Sequence, residues 1–385
     1  MNFMAAEPIS SLSRIALPSR SRLGGFFSGS YRSGDVRFLL TPIQMETVEL
    51  AEKERWIQSG ARHYSEMLSR ESLPSERYMA IFNQAWAGNR ERMAKDLLCL
   101  AAIIDARRSG EITLVSLARA GTPIGVALKH LLGEVFWRNV EHYSISIIRD
   151  RGIDANALRF ILEDAAREQA GMVFVDGWTG KGVIARELNQ AVNTFNQLHG
   201  VRLDARLFVL TDLAGVGVSA SDRDYLIPSS LLNATISGLI SRSVLNERIR
   251  REDFHGCVYY HEFEPYDLSV SFVDDILSSA RELLKAGYQP CSIPVDPAPA
   301  RQRSRQFLAD VTRRFGVTDE NFIKPGIGEA TRVLLRRVPE RVIVREPCAE
   351  VEHLLHLARE KRVRHDVDPA LPYQAVSFIG SLGHA

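Results

Sequence analysis

Asp176-Gly-Trp-Thr-Gly-Lys-Gly182 is the stretch whose residue types and spacing could do chemistry. A carboxylate is followed at once by Gly177, Trp178, Thr179, Gly180, Lys181 and Gly182. Glycines let a backbone approach an anion closely. Free N–H groups at such a turn, with a helix starting behind it, favour negative charge. Asp176 would then stand where ligands sit in open α/β sheets, able to accept from sugar hydroxyls. Arg119-Ala120-Gly121-Thr122 offers the same arrangement a second time, now with a guanidinium beside it. Two such turns on neighbouring strands would bind the two ends of one polyphosphorylated ligand. The Walker pattern fails, because Gly182 follows Lys181, and the dinucleotide pattern fails as well.

These turns need strands before them and helices after them, and the apolar pattern supplies both. Glu111–Leu117 reads as a buried strand running into Arg119, and Gly171–Val175 as a buried strand ending at Asp176. Pro123 suits the first turn of a helix reaching Leu132. Val183–Leu198 has helical spacing, Tyr143–Ile148 is a further strand ending at Arg149 and Arg151, and Leu207–Leu210 another. Strands alternating with helices predict an α/β fold with a parallel, doubly wound sheet and right-handed crossovers. Ahead of it lies a helical layer of about 80 residues, read as helical over Met45–Leu68, Tyr78–Ala85 and Arg90–Ile104. Asn233–Ser243 reads as a helix crowded with hydroxyls, and Val258–Tyr260 as a strand.

The chain has 385 residues, enough for two or three domains, and at 45% hydrophobic and 25% charged it can bury a sizeable core. No run is long and apolar enough to span a bilayer, so the expectation is a cytoplasmic protein with no membrane partner. The four cysteines Cys99, Cys257, Cys291 and Cys348 show no CxxC pairing, which speaks against a zinc ribbon or a disulfide framework. Residues 1–25 are rich in Ser and Arg and are expected to be a disordered extension. The folded domains are expected at 26–288 and 301–385. Between them, residues 289–300 carry four prolines and read as a linker. From Arg301 onward there are 15 Lys and Arg against 11 Asp and Glu, so the positive excess sits in the tail. There, Lys324-Pro-Gly326-Ile-Gly328-Glu precedes a helix bearing Arg332, Arg336 and Arg337. That arrangement could meet nucleic-acid phosphates.

The Asp176–Gly182 stretch resembles the phosphoribosyl diphosphate (PRPP) loop of type I phosphoribosyltransferases. It departs from that loop at Gly177, where a second acid is usual, and at Lys181, where a Thr usually precedes the Gly. Phe27-Ser-Gly-Ser-Tyr31, Gln58–Glu66, Ser116–Pro123, His142–Arg149, Phe174–Gly182 and Ile227–Arg242 together resemble the phosphoribosyltransferase-like proteins of bacterial tellurite-resistance and stress clusters, also labelled StiP. The tail from about Arg301 resembles a Pelota-type RNA-binding domain. The resemblance implies a glycosyltransferase that makes or breaks a ribosyl–base bond, with Mg²⁺ carried on ligand oxygens. In it, Asp176 would be catalytic. Gly177–Gly182 and Arg119–Thr122 would hold PRPP, and Arg149 and Arg151 would lie on a closing loop. Asn233, Ser237, Ser241 and Arg242 would meet the base. Lys324, Gly326, Gly328, Arg332 and Arg336 would meet RNA. Two alternatives stand beside it. One is a catalytically weak nucleotide-binding or RNA-regulatory protein. The other is the cysteine protease that the family is sometimes labelled, with Cys257 between His255 and His261, although a structural thiol is the simpler reading of Cys257.

Overall fold

The computed structural model describes residues 26–379 apart from 316, 318, 337 and 338; the extension expected at 1–25 lies outside the described residues. The chain opens with β1 (Arg37–Leu39) and β2 (Thr41–Pro42), then α1 (Leu50–Gln58) and α2 (Glu76–Arg107). There follow β3 (Ile112–Ala118), α3 (Thr122–Val135), β4 (Val140–Ile148), β5 (Gly152–Ile153) and α4 (Ala155–Arg159). Next come β6 (Met172–Thr179), α5 (Val183–His199), β7 (Leu207–Asp212) and β8 (Val218–Ser221). After β9 (Gly256–Cys257) and α6 (Ser269–Lys285), the chain continues as α7 (Pro297–Phe315), β10 (Ile323–Pro325) and α8 (Ile327–Arg336). It ends with β11 (Arg341–Val344), α9 (Glu352–Glu360), β12 (Arg364–Val367) and β13 (Ala375–Phe378).

The main sheet runs β1-β4-β3-β6-β7-β8, and every neighbouring pair is parallel. A parallel sheet must bury both faces, and the alternation along the strands divides accordingly. Leu114, Val173, Val175, Phe208 and Leu210 face one core, shared with Leu97 and Ile104 of α2, Ile124 and Leu128 of α3 and Ile276 of α6. Val115, Leu117, Phe174 and Val209 face the other, shared with Leu158 of α4 and Leu188 and Val192 of α5. The α/β, doubly wound expectation therefore holds. The chain leaves β3 toward β4 on one side and returns to β6 on the other. This reversal opens a crevice at the carboxyl ends of β3 and β6, the usual ligand position in such sheets.

Several local expectations differ. The two helices read at Tyr78–Ala85 and Arg90–Ile104 are one helix, α2, started by the Ser75 side chain accepting from Tyr78 N–H. Between the two, the Asn89 amide bonds back to the Ala85 carbonyl at 3.0 Å inside the helix. Met45–Leu68 is helical only over α1 and a single turn at Tyr64–Glu66. Asn233–Ser243 is not a helix: one turn at Ala234–Ile236 is followed by Gly238 and Leu239, both with positive φ (82° and 59°), which ends helical geometry. The strand read at Val258–Tyr260 is shifted to β9, with Tyr259 making only an isolated bridge to Ile240. The proline-rich segment 289–300 is coil only at its start, since α7 begins at Pro297, where a proline fits a first turn.

The C-terminal sheet is mixed, in the order β10-β13-β11-β12. It docks on the first through buried contacts. Asp224 accepts the N–H groups of Ile327 (2.9 Å) and Gln374 (2.8 Å). Leu213 packs with Tyr373, Phe307 and Ile343 in one shared cluster. Arg303 pairs with Asp222 at 2.8 Å, and Arg92 of α2 with Glu350 at 3.0 Å.

Candidate functional site

The sheet crevice widens into a cleft of about 790 Å³ with a floor and three walls. Arg119 and Asp176, from the ends of β3 and β6, stand on its floor. Tyr64 and Glu71 come from the segment before α2, Asn233 and Arg242 from the irregular stretch, and Lys324 and Arg332 from the C-terminal unit. The two turns singled out from the sequence thus do face one cleft.

Their side chains are arranged differently from the expectation. Arg119 is engaged: it pairs with Glu71 at 2.6 Å and donates to the Ile240 carbonyl at 2.8 Å. Of its turn only Arg119 and Ala120 line the cleft. Gly121 packs against the Val175 carbonyl, and Thr122 is buried with its hydroxyl 2.8 Å from Ser144. These two serve helix–strand packing and offer no ligand contact.

From the second turn, Asp176, Trp178, Thr179, Gly180, Lys181 and Gly182 all line the cleft, while Gly177 does not. Thr179 donates its hydroxyl to Asp212. Asp212 in turn accepts backbone N–H groups from Ala214 (3.1 Å), Gly215 (2.9 Å), Val216 (2.7 Å) and Gly217 (2.6 Å), which fixes the loop after β7. Gly180 leaves room for the C-terminal unit: a Cβ there would meet the Glu329 side chain at 3.1 Å and the Pro325 carbonyl at 3.3 Å, closer than usual. Lys181 donates to the Glu320 carbonyl. Burial, then Lys324, brings its ammonium down to about 8. Arg332 lies over the Trp178 ring at 5.4 Å. The glycine-rich turn therefore grips the C-terminal unit.

Arg242 stacks on Tyr64 at 5.3 Å, and burial lowers it to about 10. Arg149 lies over the same ring at 5.6 Å, its backbone N–H donating to the Tyr64 hydroxyl at 2.8 Å. Arg151 turns away, pairing with Glu66 and donating to the Leu245 carbonyl at 3.0 Å. Ser237 and Ser241 are buried and donate to the Asn233 and Arg242 carbonyls, each at 2.7 Å, so they do not face a ligand. Gly326 and Gly328 lie against Leu213 and Trp178, and Ile327 N–H is taken by Asp224. They seat the domain, and the Gly326 N–H is taken by the Ala375 carbonyl at 2.8 Å. The side chains of Arg336 and Arg337 lie outside the described residues. Tyr64, Glu71, Asp212 and Asp224 were missed. Only Asp212, an acid at a strand end before Gly215, carried a sequence signal.

Asp176 accepts one N–H, from Gly177 at 2.8 Å. Burial pushes its carboxyl up to about 6, against the pull of that N–H and of Arg332. Its folded value exceeds the unfolded one, so ionising it costs stability. That cost is absent below the unfolded value of 3.8 and complete above about 6. Asp176→Asn should therefore stabilise the protein at pH 7–8 by on the order of 1–2 kcal/mol. The gain should vanish near pH 4. Thermal midpoints across that range check it, and a destabilised Asn variant at pH 7 would refute it. Among the described residues no three His, Cys, Asp or Glu side chains cluster to hold a metal.

None of the four cysteines lines the cleft. Cys257 is fully buried, and burial pushes its thiol up to about 12. The neighbouring histidines have other partners: His255 Nδ1 is 2.7 Å from the Ser146 hydroxyl, and His261 Nδ1 is 3.1 Å from Glu264. His142 is sealed between the Ser116 hydroxyl (2.8 Å) and the Asp35 carbonyl (3.0 Å), and burial holds it down at about 3.

Residues 29–277 match the family described as "Tellurite-like stress resistance cysteine protease StiP", and residues 302–381 match the "PELOTA RNA binding domain". A curated relative from Acinetobacter baylyi, named "Cysteine protease StiP", is 40% identical over 370 residues, covering 93% of this chain and 95% of its own. The chain belongs to the StiP family. A solved multiple substrate aminotransferase from Thermococcus profundus aligns at 10% identity with a TM-score of 0.20, over 77% of this chain and 75% of its own, too distant to carry an argument.

These relatives correct the activity expected from the sequence. They are named for cysteine proteolysis, so phosphoribosyl transfer, a glycosyltransferase class and PRPP as ligand do not hold for this chain. The physical reason for the error is that a strand, a carboxylate and a glycine turn make a general feature of α/β sheets. Here Gly180 packs against the C-terminal unit, Gly182 against Val216 of its own, and Gly177 stands where the second acid would be. No helix among the described residues is long and apolar enough to cross a membrane.

Proposed function

We propose that this chain is a cysteine peptidase of the stress-resistance type, with an RNA-binding C-terminal domain. The observation that carries the reading is the 40% identity, across nearly the full length of both chains, to a protein named a cysteine protease. The family match spans 29–277 and contains two cysteines, Cys99 and Cys257. Cys257 is the better nucleophile on position. It stands one strand behind the cleft wall, since Val258 N–H donates to Ser241 Oγ at 2.9 Å and Arg242 follows in the cleft.

A thiolate attacks and a base must make it. The Cys257 thiol is sealed and protonated in this arrangement, so the conformation corresponds to a closed state of the proposed enzyme. Opening the 238–262 segment would bring the thiol to the cleft. His255, two residues before it, is taken by Ser146, so His261, oriented by Glu264, would be its base. RNA would meet the C-terminal unit from the cleft side, where Arg332 and Trp178 offer a cation and a stacking face. The peptidase test is digestion of an unfolded protein by the whole chain, beside its Cys257→Ser and Cys99→Ser variants. Cleavage lost only in Cys257→Ser supports the reading. Undiminished cleavage in both variants, or none by the wild type under any tested condition, overturns it.

A further inference from the structure

Cys99 and Cys291 stand 192 positions apart in sequence and meet where the chain crosses from the first unit to the second. Cys99 is half-buried on α2, and its Sγ accepts the Cys291 N–H at 3.3 Å. The Tyr288 hydroxyl lies 3.3 Å from the same sulfur. Cys291 is exposed; its own sulfur accepts Ile293 N–H at 3.4 Å, turned toward its own loop. The N–Cα bond is about 1.46 Å, so the Cα of Cys291 lies within roughly 4.8 Å of the Cys99 sulfur. A disulfide holds its two Cα atoms about 4.4–6.8 Å apart. Cys291 is exposed, so turning its side chain about χ1 toward Cys99 would give up only its sulfur's contacts with Ile293. The other two thiols are out of play: Cys257 is sealed in the core, and Cys348 belongs to the C-terminal unit.

We propose that Cys99 and Cys291 are a redox-sensitive pair that a peroxide oxidises to a disulfide, fastening the interdomain segment to α2. The exposed Cys291 thiolate attacks a peroxide oxygen, breaking the O–O bond. With hydrogen peroxide this gives a sulfenic acid and hydroxide, which leaves as water. The Cys99 sulfur then attacks the sulfenic sulfur, forming the S–S bond and releasing a second water. Two thiols lose two electrons and two protons to one peroxide. The segment so fixed runs directly into α7, and Val295 N–H already bonds the Ser219 carbonyl at the sheet edge (3.0 Å). The oxidised form therefore holds the C-terminal unit against the cleft.

The test uses the whole chain, reduced, freed of reductant and treated with hydrogen peroxide in modest excess. Peptide mapping without reductant should find Cys99 and Cys291 joined, with the intact mass lower by about two hydrogens and restored by dithiothreitol. The thermal midpoint should rise by about 5 °C or more on oxidation. Neither change should occur in Cys291→Ser, which alters an exposed loop residue. In Cys99→Ser, Cys291 should instead run on to the sulfinic acid. Wild-type protein in which Cys291 reaches the sulfinic acid while Cys99 stays reduced would overturn the proposal, as would a bridge between any other pair.

Discussion

Cys257→Ser is expected to lower proteolytic turnover by on the order of 10³-fold or more, because a serine hydroxyl, even beside the same base, is a far poorer nucleophile than the thiolate it replaces. The fold should survive, since one buried atom is exchanged for a slightly smaller one. Circular dichroism and the thermal midpoint check that point. Cys99→Ser, at a site with no proposed catalytic part, should keep the wild-type rate under reducing conditions. Burial also sets the thiol's reactivity. A thiol at about 12 is ionised in roughly one molecule in 10⁴ at pH 8. Raising the pH should therefore speed alkylation of Cys257 close to tenfold per unit over pH 8–11, while the exposed Cys291 reacts first at every pH. Unfolded substrate that accelerates alkylation of Cys257 would report the opening that the proposed activity needs. Equal alkylation of Cys257 and Cys291 at pH 8 would contradict the closed arrangement.

RNA affinity of the whole chain is expected to fall by about 10²-fold between 50 and 200 mM salt. The tail's excess of positive charge is modest, so about four phosphate contacts are anticipated, and each contributes nearly one power of the salt concentration. The contact face is expected at the cleft's C-terminal wall. Trp178→Ala should then weaken binding of a single strand by about 1–3 kcal/mol, the usual worth of one base stacked on an aromatic ring. Arg332→Glu removes the cation above that ring and should flatten the salt dependence. Both are measured by fluorescence anisotropy with the full-length protein, because the docking contacts at Asp224, Leu213 and Tyr373 would be stripped from an isolated tail. Binding that is insensitive to salt, or to both substitutions, would place the RNA face elsewhere on the tail or remove it.

The sequence by itself determined the layered sheet, since short apolar runs such as Leu114–Leu117, interrupted only by Ser116, and Val173–Val175, bounded by turn signals, read as strands buried on both faces. It also determined that the ends of β3 and β6 carry a guanidinium and a carboxylate, and that a second α/β unit follows the prolines. Tertiary structure decided what those groups are free to do. Arg119 is bound by Glu71, 48 residues away, and no periodicity reports a pairing between segments so far apart. Thr122 and Ser241 read as ligand-facing hydroxyls, yet a small polar side chain serves a buried hydrogen bond equally well, and only packing distinguishes the two. The glycines at 180, 326 and 328 mark close backbone approach in either reading. The approaching partner is the other unit of the same chain, and the sequence records only that room was left for it. Cys257 shows the limit most sharply. The structural thiol read from its sequence context holds: β9 places it in the core, and its flanking imidazoles are taken by Ser146 and Glu264, partners that sequence proximity to a cysteine does not report.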